Sequence, residues 1–588
     1  MLRPSIFLSI FLMLGHVGCH GQSTKSSSTA THVPVELKKV ENGWQLFRDG
    51  QPYYIKGAGG DGPLKQLSEL GANSVRTWGV GPHTKTLLDQ AHANGLTVTV
   101  GIWLEHVGKG FDYEDAEACQ RQEKAVMSVV EKYKSHPAVL AWGIGNEVEN
   151  GYADQASIYK HIESIAAKVK KIDPHHPTMS VIAEIGQEKV ESTNKYCPSI
   201  DIIGINSYAG ASSLVDRYRK LNPVKPFIVT EFGPFGTWES PKNENGVVIE
   251  KTSTQKAATY ANSYNAFLKD PKACLGSYVF LWGHKQESTP TWFGMLTPDG
   301  CRTASVDALS KAWTGTPVGN TCPVIEQIKI SKTELKPGEE FKAAIKTSDA
   351  ETDPIATDWA IIQEGEEAIS GGDFQSVPPA FPKLVVSSDD KGAQLAAPMY
   401  AGLYRVYAVA RDGNKGAATA NVPFRVLPGD LQKSGSKVEI PHALSTSANE
   451  QLKIETGENF TLDAECKEKP KSGKSCLKVV YNGSGKGAFI SWLSKAEQGI
   501  DLDGATKVTF SIRGQRGGER IKVQVGSRNK TRPDTAFREM GFALGGGWIK
   551  LEMDISRLDL RGVKTIFSCE LIDAEKPMTF YLDDIRFE

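Results

Sequence analysis

The chain has 588 residues, too many for one hydrophobic core, and its length suggests two to four domains. Its composition is that of an ordinary soluble globular protein, not of a disordered one. With 68 basic against 69 acidic residues and a net charge of −1, it carries neither a basic footprint for nucleic acid nor an acidic tail.

The N-terminus, MLRPSIFLSIFLMLGHVGC, has one early Arg and a short apolar run from Ile6 to Leu14. Such a run is too short to span a bilayer and reads as a secretory signal over residues 1–19. HVGC resembles the end of a bacterial lipoprotein signal, with Cys19 as the lipidated residue; His16 departs from the usual Leu. The resemblance implies an exported protein, anchored through lipid to an outer membrane or cell surface, or otherwise periplasmic or secreted. Residues 20–33, rich in Ser and Thr, form a polar tether. Eight further cysteines in an oxidising compartment permit disulfides; Cys466 with Cys476 is the favoured pair and Cys301 with Cys322 the weaker one.

From 34 to 318 apolar runs alternate with amphipathic segments such as TKTLLDQAHANG and SIYKHIESIAAKVKKI. The runs begin with YYIKGAGG, NSVRTWG, LTVTVGIWLEH and VLAWGIGNE. They continue with TMSVIAE, DIIGINSY, FIVTEFG and GSYVFLWGHK. Eight strand-like runs separated by helical sequence predict a (β/α)8 barrel. YIKGAGGDGP lacks GxGxxG spacing and runs into Pro63, which disfavours an open nucleotide-binding sheet.

Residues 321–428 change texture to short alternating strands with turn signals (KPGE, RDGN) and read as an immunoglobulin-like sandwich. A Gly/Ser-bearing link leads to an all-β segment, 436–588, that resembles a jelly-roll carbohydrate-binding module, most clearly in FYLDDIRFE. Trp492 and Trp548 are candidates there for a sugar platform or for buried aromatics.

In such a barrel the chemistry lies at the C-terminal ends of the strands. Read off the runs, those ends carry Arg76 and Trp78, Glu105 and His106, Asn146 and Glu147, and Glu184. The later strands add Asn206 and Tyr208, Glu231, and Trp282 and His284. Glycoside hydrolysis requires two carboxyl groups flanking the scissile bond, and Glu147 and Glu231 end the fourth and seventh runs. Asn146-Glu147 and the Glu of IVTEFG resemble clan A of the glycoside hydrolases, in which the acid/base follows an Asn on strand four and the nucleophile ends strand seven. Val148 departs from the Pro common after that acid/base.

GNEV with YYIKGAGG is similar to the family 72 β-1,3-glucanosyltransferases, and bacterial β-1,3-glucanases are a related likeness. Family 2 barrels also resemble this stretch, although only some twenty residues lie between tether and first strand, where that family carries sandwich domains. The clan resemblance implies retaining chemistry, with Glu231 as nucleophile and Glu147 as acid/base. It assigns Arg76 and Tyr208 to Glu231, Asn146 to the sugar 2-hydroxyl and Trp282 to a face under the ring. His106, Asn206, Glu105, Glu184 and His284 are candidate substrate contacts, whereas Trp78, Trp103, Trp238 and Trp292 are read as core or rim packing as readily as sugar stacking. Glu149 is expected in a solvated loop.

The expectation is therefore an exported, lipid-anchored β-glycosidase acting on a polysaccharide, with β-1,3-glucan favoured. The alternatives are a transglycosylase using the same glutamates and a non-catalytic glycan-binding surface lipoprotein. No metal or organic cofactor is implied, with a structural Ca2+ left open for the last domain; no protein partner can be named.

Overall fold

The computed structural model describes residues 33–588 except 366–374, 376, 400, 428–434, 441, 445–450, 484–487, 528–535, 557 and 573–574. The signal, Cys19 and the tether up to residue 32 lie outside the described residues.

The described residues begin with a three-stranded antiparallel sheet that the sequence reading did not anticipate: β1 (Val35–Val40), β2 (Gly43–Arg48) and β3 (Gln51–Tyr53). Val35 and Leu46 are buried against Ile55, Leu140, Met179 and Ile228, residues of the barrel strands, so the sheet packs onto one end of the barrel interior. Its alternation is short and interrupted by two tight turns, which is why it reads as loop.

Eight parallel strands then close a barrel: β4 (Ile55–Gly60), β5 (Ser74–Arg76), β6 (Thr97–Ile102), β7 (Val139–Asn146), β8 (Thr178–Ala183), β9 (Ile202–Asn206), β10 (Phe227–Phe232) and β11 (Cys274–Trp282). This is the expected (β/α)8 architecture. In β7 the first seven residues, Val139 to Gly145, are buried, since a barrel strand is covered by helices outside and packed side chains inside. Each fully buried Val, Leu or Ile contributes roughly 1.5–3 kcal/mol. The helices lie outside, the longest being Ala116–Tyr133 and Ala156–Ile172. Asp115 caps the first of these by accepting from the backbone N–H groups of Glu117 and Ala118.

Beyond the barrel helix Ala304–Thr314, two sheets face one another across a core of Ile325, Phe341, Trp359, Leu395, Val406 and Phe424. One contains strands Val324–Ile330 and Glu340–Ser348, the other Ala356–Gln363, Gly402–Arg411 and Gly416–Val426. The short strand β12 (Arg302–Thr303) joins the second sheet beside Gly416–Ala417, tying barrel to sandwich. The C-terminal segment forms a second sandwich with a core of its own. Trp492 lies fully inside that core, edge-on to Phe567 at 5.5 Å, so it is no sugar platform.

The expected disulfides are not formed: the eight described cysteines are free thiols. Cys466 and Cys476 face each other in register on adjacent strands, both buried. Cys301 and Cys322 turn apart, the first to Asp299 and the second to the carbonyl of Arg302.

Candidate active site

Strand β7 delivers its carboxylate through a sharp turn. Gly145 has φ +74°, and a Cβ there would stand 2.6 Å from Val148. Glu147 itself adopts φ +53°, a left-handed conformation uncommon for a residue with a side chain, and its N–H donates to the carbonyl of Val181 at 2.8 Å. The apolar run thus ends by aiming Glu147 into a cavity of about 630 Å3 at the strand ends.

Glu231, at the end of β10, faces the same cavity. Three donors converge on its two oxygens. Arg76 Nη1 reaches Oε1 at 2.8 Å, Trp78 Nε1 reaches the same oxygen at 2.6 Å, and Tyr208 Oη donates to Oε2 at 2.7 Å. This surrounding suits an ionised carboxylate, which only accepts hydrogen bonds. Burial, followed by the charge of Glu231, pushes the Tyr208 phenol well above its ordinary pKa, so it remains a donor.

Glu147 has the opposite surroundings. Its carboxyl pKa is raised to about 8, first by loss of solvation and then by the charge of Glu231; the Asn206 amide, donating to Oε1 at 2.6 Å, opposes the rise. Two carboxyl groups on one cavity are therefore distinguished by environment: one sits among donors, the other in a site that favours its protonated form.

Asn146 accepts from Arg76 Nη2 at 2.6 Å and from Asn206 at 3.2 Å, and lines the cavity together with Asn206, Tyr208 and His106. Arg76 is fully buried behind Glu231 and does not line the cavity, so its place is to support the carboxylate and not to touch substrate. Trp282 departs from its assignment: it is buried, donates to the carbonyl of Pro63 at 3.2 Å and stands outside the lining. Phe280 lines the cavity instead, edge-on to Trp78 at 5.6 Å. The pairing of β11 with β4 is irregular between Phe280 and Trp282, so counting residues along the strand misplaces the ring that lines the cavity.

Trp103 and Trp238 flank the opening, the latter 58% exposed. Trp103 stacks on His106 at 4.9 Å. Glu184 also lines the cavity, accepting from Ser207 at 2.7 Å and Arg217 at 2.9 Å, whereas Glu105, His284 and Trp292 do not line it. Glu149 is buried and not solvated: it accepts from the Ala183 N–H at 2.9 Å and pairs with Lys189 at 3.2 Å.

A second groove of about 1400 Å3 shares Trp103 and Lys109 with this cavity. Its other wall belongs to the C-terminal sandwich, including Lys469, Arg513, Arg516, Trp548 and Tyr581. The two units touch backbone to backbone, since a Cβ on Gly110 would stand 2.5 Å from the Cα of Gly547. Arg513 lies over Tyr581 at 3.4 Å and over Trp548 at 5.3 Å.

The barrel carries paired carboxyl groups at its strand ends, the layout that glycoside hydrolysis requires, and part of it is similar to known proteins. Residues 63–243 match the TIM barrel domain of the glycosyl hydrolases of family 2. The β-glucuronidase of Homo sapiens is 25% identical over 238 residues, 34% of this chain and 34% of that protein. The β-glucuronidase of Felis catus is 27% identical over 237 residues, 36% of this chain and 33% of that protein. Among solved structures, a Ruminococcus gnavus β-glucuronidase is similar with a TM-score of 0.37 and 17% identity, over 48% of this chain and 53% of that one. The chain spans about a third of the length of the curated relatives it matches.

Proposed function

We propose that the chain is a retaining β-glycosidase acting on an extended glycan. In this reading Glu231 attacks the anomeric carbon while Glu147 gives its proton to the leaving oxygen; Glu147 then takes a proton from water, which releases the sugar from Glu231. The observation that carries the reading is the contrast between the two carboxyl groups on one cavity. Glu231 is fixed by Arg76, Trp78 and Tyr208, while Glu147 is held by Asn206 alone among those donors with its pKa raised to about 8. As Glu231 loses its charge in the glycosyl intermediate, the Coulombic part of that rise disappears, and Glu147 becomes a base suited to the second step.

A polymer is favoured over a small glycoside because the second groove adjoins the cavity, sharing Trp103 and Lys109 with it. The β-1,3-glucan preference rests on GNEV and YYIKGAGG alone. A second reading, a β-uronide substrate, is supported by the β-glucuronidase relatives and by Lys109 on the cavity wall, where Lys189 and Lys285 are already paired with Glu149 and Glu287. Comparing kcat/KM on 4-nitrophenyl β-glucoside and β-glucuronide, alongside product profiles from laminarin and an acidic polysaccharide, separates the two. Absence of turnover on every substrate by the wild type, with glycans still bound, would favour the non-catalytic alternative; products longer than the donor would make it a transglycosylase.

We further place the protein at a bacterial cell surface through lipid on Cys19, the reading HVGC supports. Cys19→Ala should move it from the membrane fraction to the soluble one; unchanged partition argues against the anchor.

A further inference from the structure

Outside the catalytic cavity, a set of oxygen atoms converges in the first sandwich. Asp349 and Asp353 lie in the loop between strands Glu340–Ser348 and Ala356–Gln363, and Asp412 lies in the turn after strand Gly402–Arg411. One carboxylate oxygen from each falls within 4.8 Å of the others. Backbone amides hold two of the three carboxylates by a single oxygen. Asp349 Oδ1 accepts from the N–H groups of Glu351 at 3.0 Å and Asp353 at 2.9 Å. Asp412 Oδ1 accepts from those of Asn414 at 2.7 Å and Gly416 at 2.9 Å.

The second oxygens of Asp349 and Asp412 are buried and have no hydrogen-bond partner, and Asp412 is only 3% exposed. Beside them, Asn320 Nδ2 and Asn414 Nδ2 donate to Asp353 Oδ2 at 2.7 and 2.8 Å, leaving Asn320 Oδ1 buried and likewise unpartnered. Three buried acceptors without donors are an unusual debt for a folded protein. The neighbouring Arg302 attracts Asp412 electrostatically but gives it no hydrogen bond: its guanidinium donates to Asp307 and to the carbonyls of Asn320 and Asn414. Carboxylates this close repel one another unless a cation stands among them.

We propose that Asp349, Asp353 and Asp412, with Asn320 Oδ1, bind one Ca2+. All the donors are oxygen, with neither imidazole nor thiolate among them, which selects a hard cation. Carboxylates and an amide carbonyl drawn from separate loops suit the adaptable coordination of Ca2+ better than the strict octahedron of Mg2+. Asn320 belongs to the segment leaving the barrel helix Ala304–Thr314, so the ion ties the barrel's exit to two loops of the sandwich. The backbone bonds to Asp349 and Asp412 hold their free oxygens in place before any ion arrives.

The test uses the full chain stripped with EGTA and exchanged into metal-free buffer. Titration calorimetry with CaCl2 should give one site, and 1 mM CaCl2 should raise Tm by several degrees. Asp349→Asn and Asp353→Asn, which keep the side-chain shape, should each weaken Ca2+ binding at least tenfold and abolish the Tm rise. Should one variant fail to fold, the other and the wild-type titration decide. No heat and no Tm rise in the wild type at 1 mM Ca2+, or wild-type affinity in a folded Asn variant, overturns the assignment.

Discussion

Arg76 and Glu231 form a buried ion pair, Nη1 to Oε1 at 2.8 Å, in which Glu231 lines the candidate cavity and Arg76 stands behind it. Because the same guanidinium also holds Asn146 at 2.6 Å, it fixes the neighbour of Glu147 as well as the carboxylate of Glu231. Arg76→Lys keeps the charge and loses the planar fork. We expect kcat to fall on the order of a hundredfold with a smaller change in KM, measured on the best aryl glycoside; wild-type kcat would show that the fork is dispensable.

The two glutamates predict separable defects. Glu231→Ala should lose at least about a thousandfold in kcat and regain part of it with azide, which occupies the space of the missing carboxylate and yields an inverted glycosyl azide. Glu147→Gln should be impaired chiefly on substrates with poor leaving groups, because a dinitrophenolate needs no proton to depart. Equal loss on good and poor leaving groups would argue against Glu147 as the acid.

Glu147 also sets a pH dependence. Its raised pKa keeps it protonated at neutrality, so kcat/KM should fall as pH rises through about 8. The stability effect has the same origin. Between the unfolded carboxyl pKa and about 8 the folded protein retains a proton that the unfolded chain releases, so this residue's contribution declines as pH rises across that window. Glu147→Gln should therefore raise Tm, and by more at pH 8 than at pH 5. A Tm difference independent of pH would contradict it.

Trp78 is the donor least visible in the sequence. Trp78→Phe keeps a ring against Phe280 and removes only the N–H to Glu231. One hydrogen bond to an ionised group is worth roughly 1.5–3 kcal/mol. Trp78→Phe should lower folding stability by about that amount, and kcat/KM should fall, by about tenfold, only because the N–H also orients Glu231 for attack; unaltered kinetics with lowered stability would place Trp78 as a stabilising contact alone.

Arg405 joins barrel and sandwich from a fully buried position. It donates to both oxygens of Glu364 at 2.6 and 2.8 Å, to Asn421 at 2.7 Å and to the Val248 carbonyl at 2.6 Å. Removing one partner of a buried pair leaves an uncompensated charge, at a cost of about 3–5 kcal/mol. Arg405→Ala should lower the denaturation midpoint accordingly, whereas a change under about 1 kcal/mol would mean the network contributes little.

Much of the barrel was legible because its strands are buried on both sides and announce themselves as apolar runs; VLAWGIG is the clearest. That Glu147 and Glu231 share one cavity was legible because both stand where such runs end. What escaped depends on contacts between distant segments. Glu149 reads as solvated until Lys189, forty residues on, is brought beside it. Trp78 and Trp282 are both tryptophans at strand ends, and only the closed barrel distinguishes the one bonded to Glu231 from the one bonded to Pro63. The sheet over Val35–Tyr53 owes its burial to barrel strands that follow it, so its own pattern is weak.

The most direct test of the central claim is covalent labelling of the wild type with 2-deoxy-2-fluoro-β-glycosyl fluorides of the gluco and glucurono series, followed by intact-mass and peptide analysis. The account predicts one added glycosyl group, on the peptide containing Glu231, with turnover lost in step with labelling. A label on Glu147 or elsewhere, or full turnover by Glu231→Ala, would contradict it.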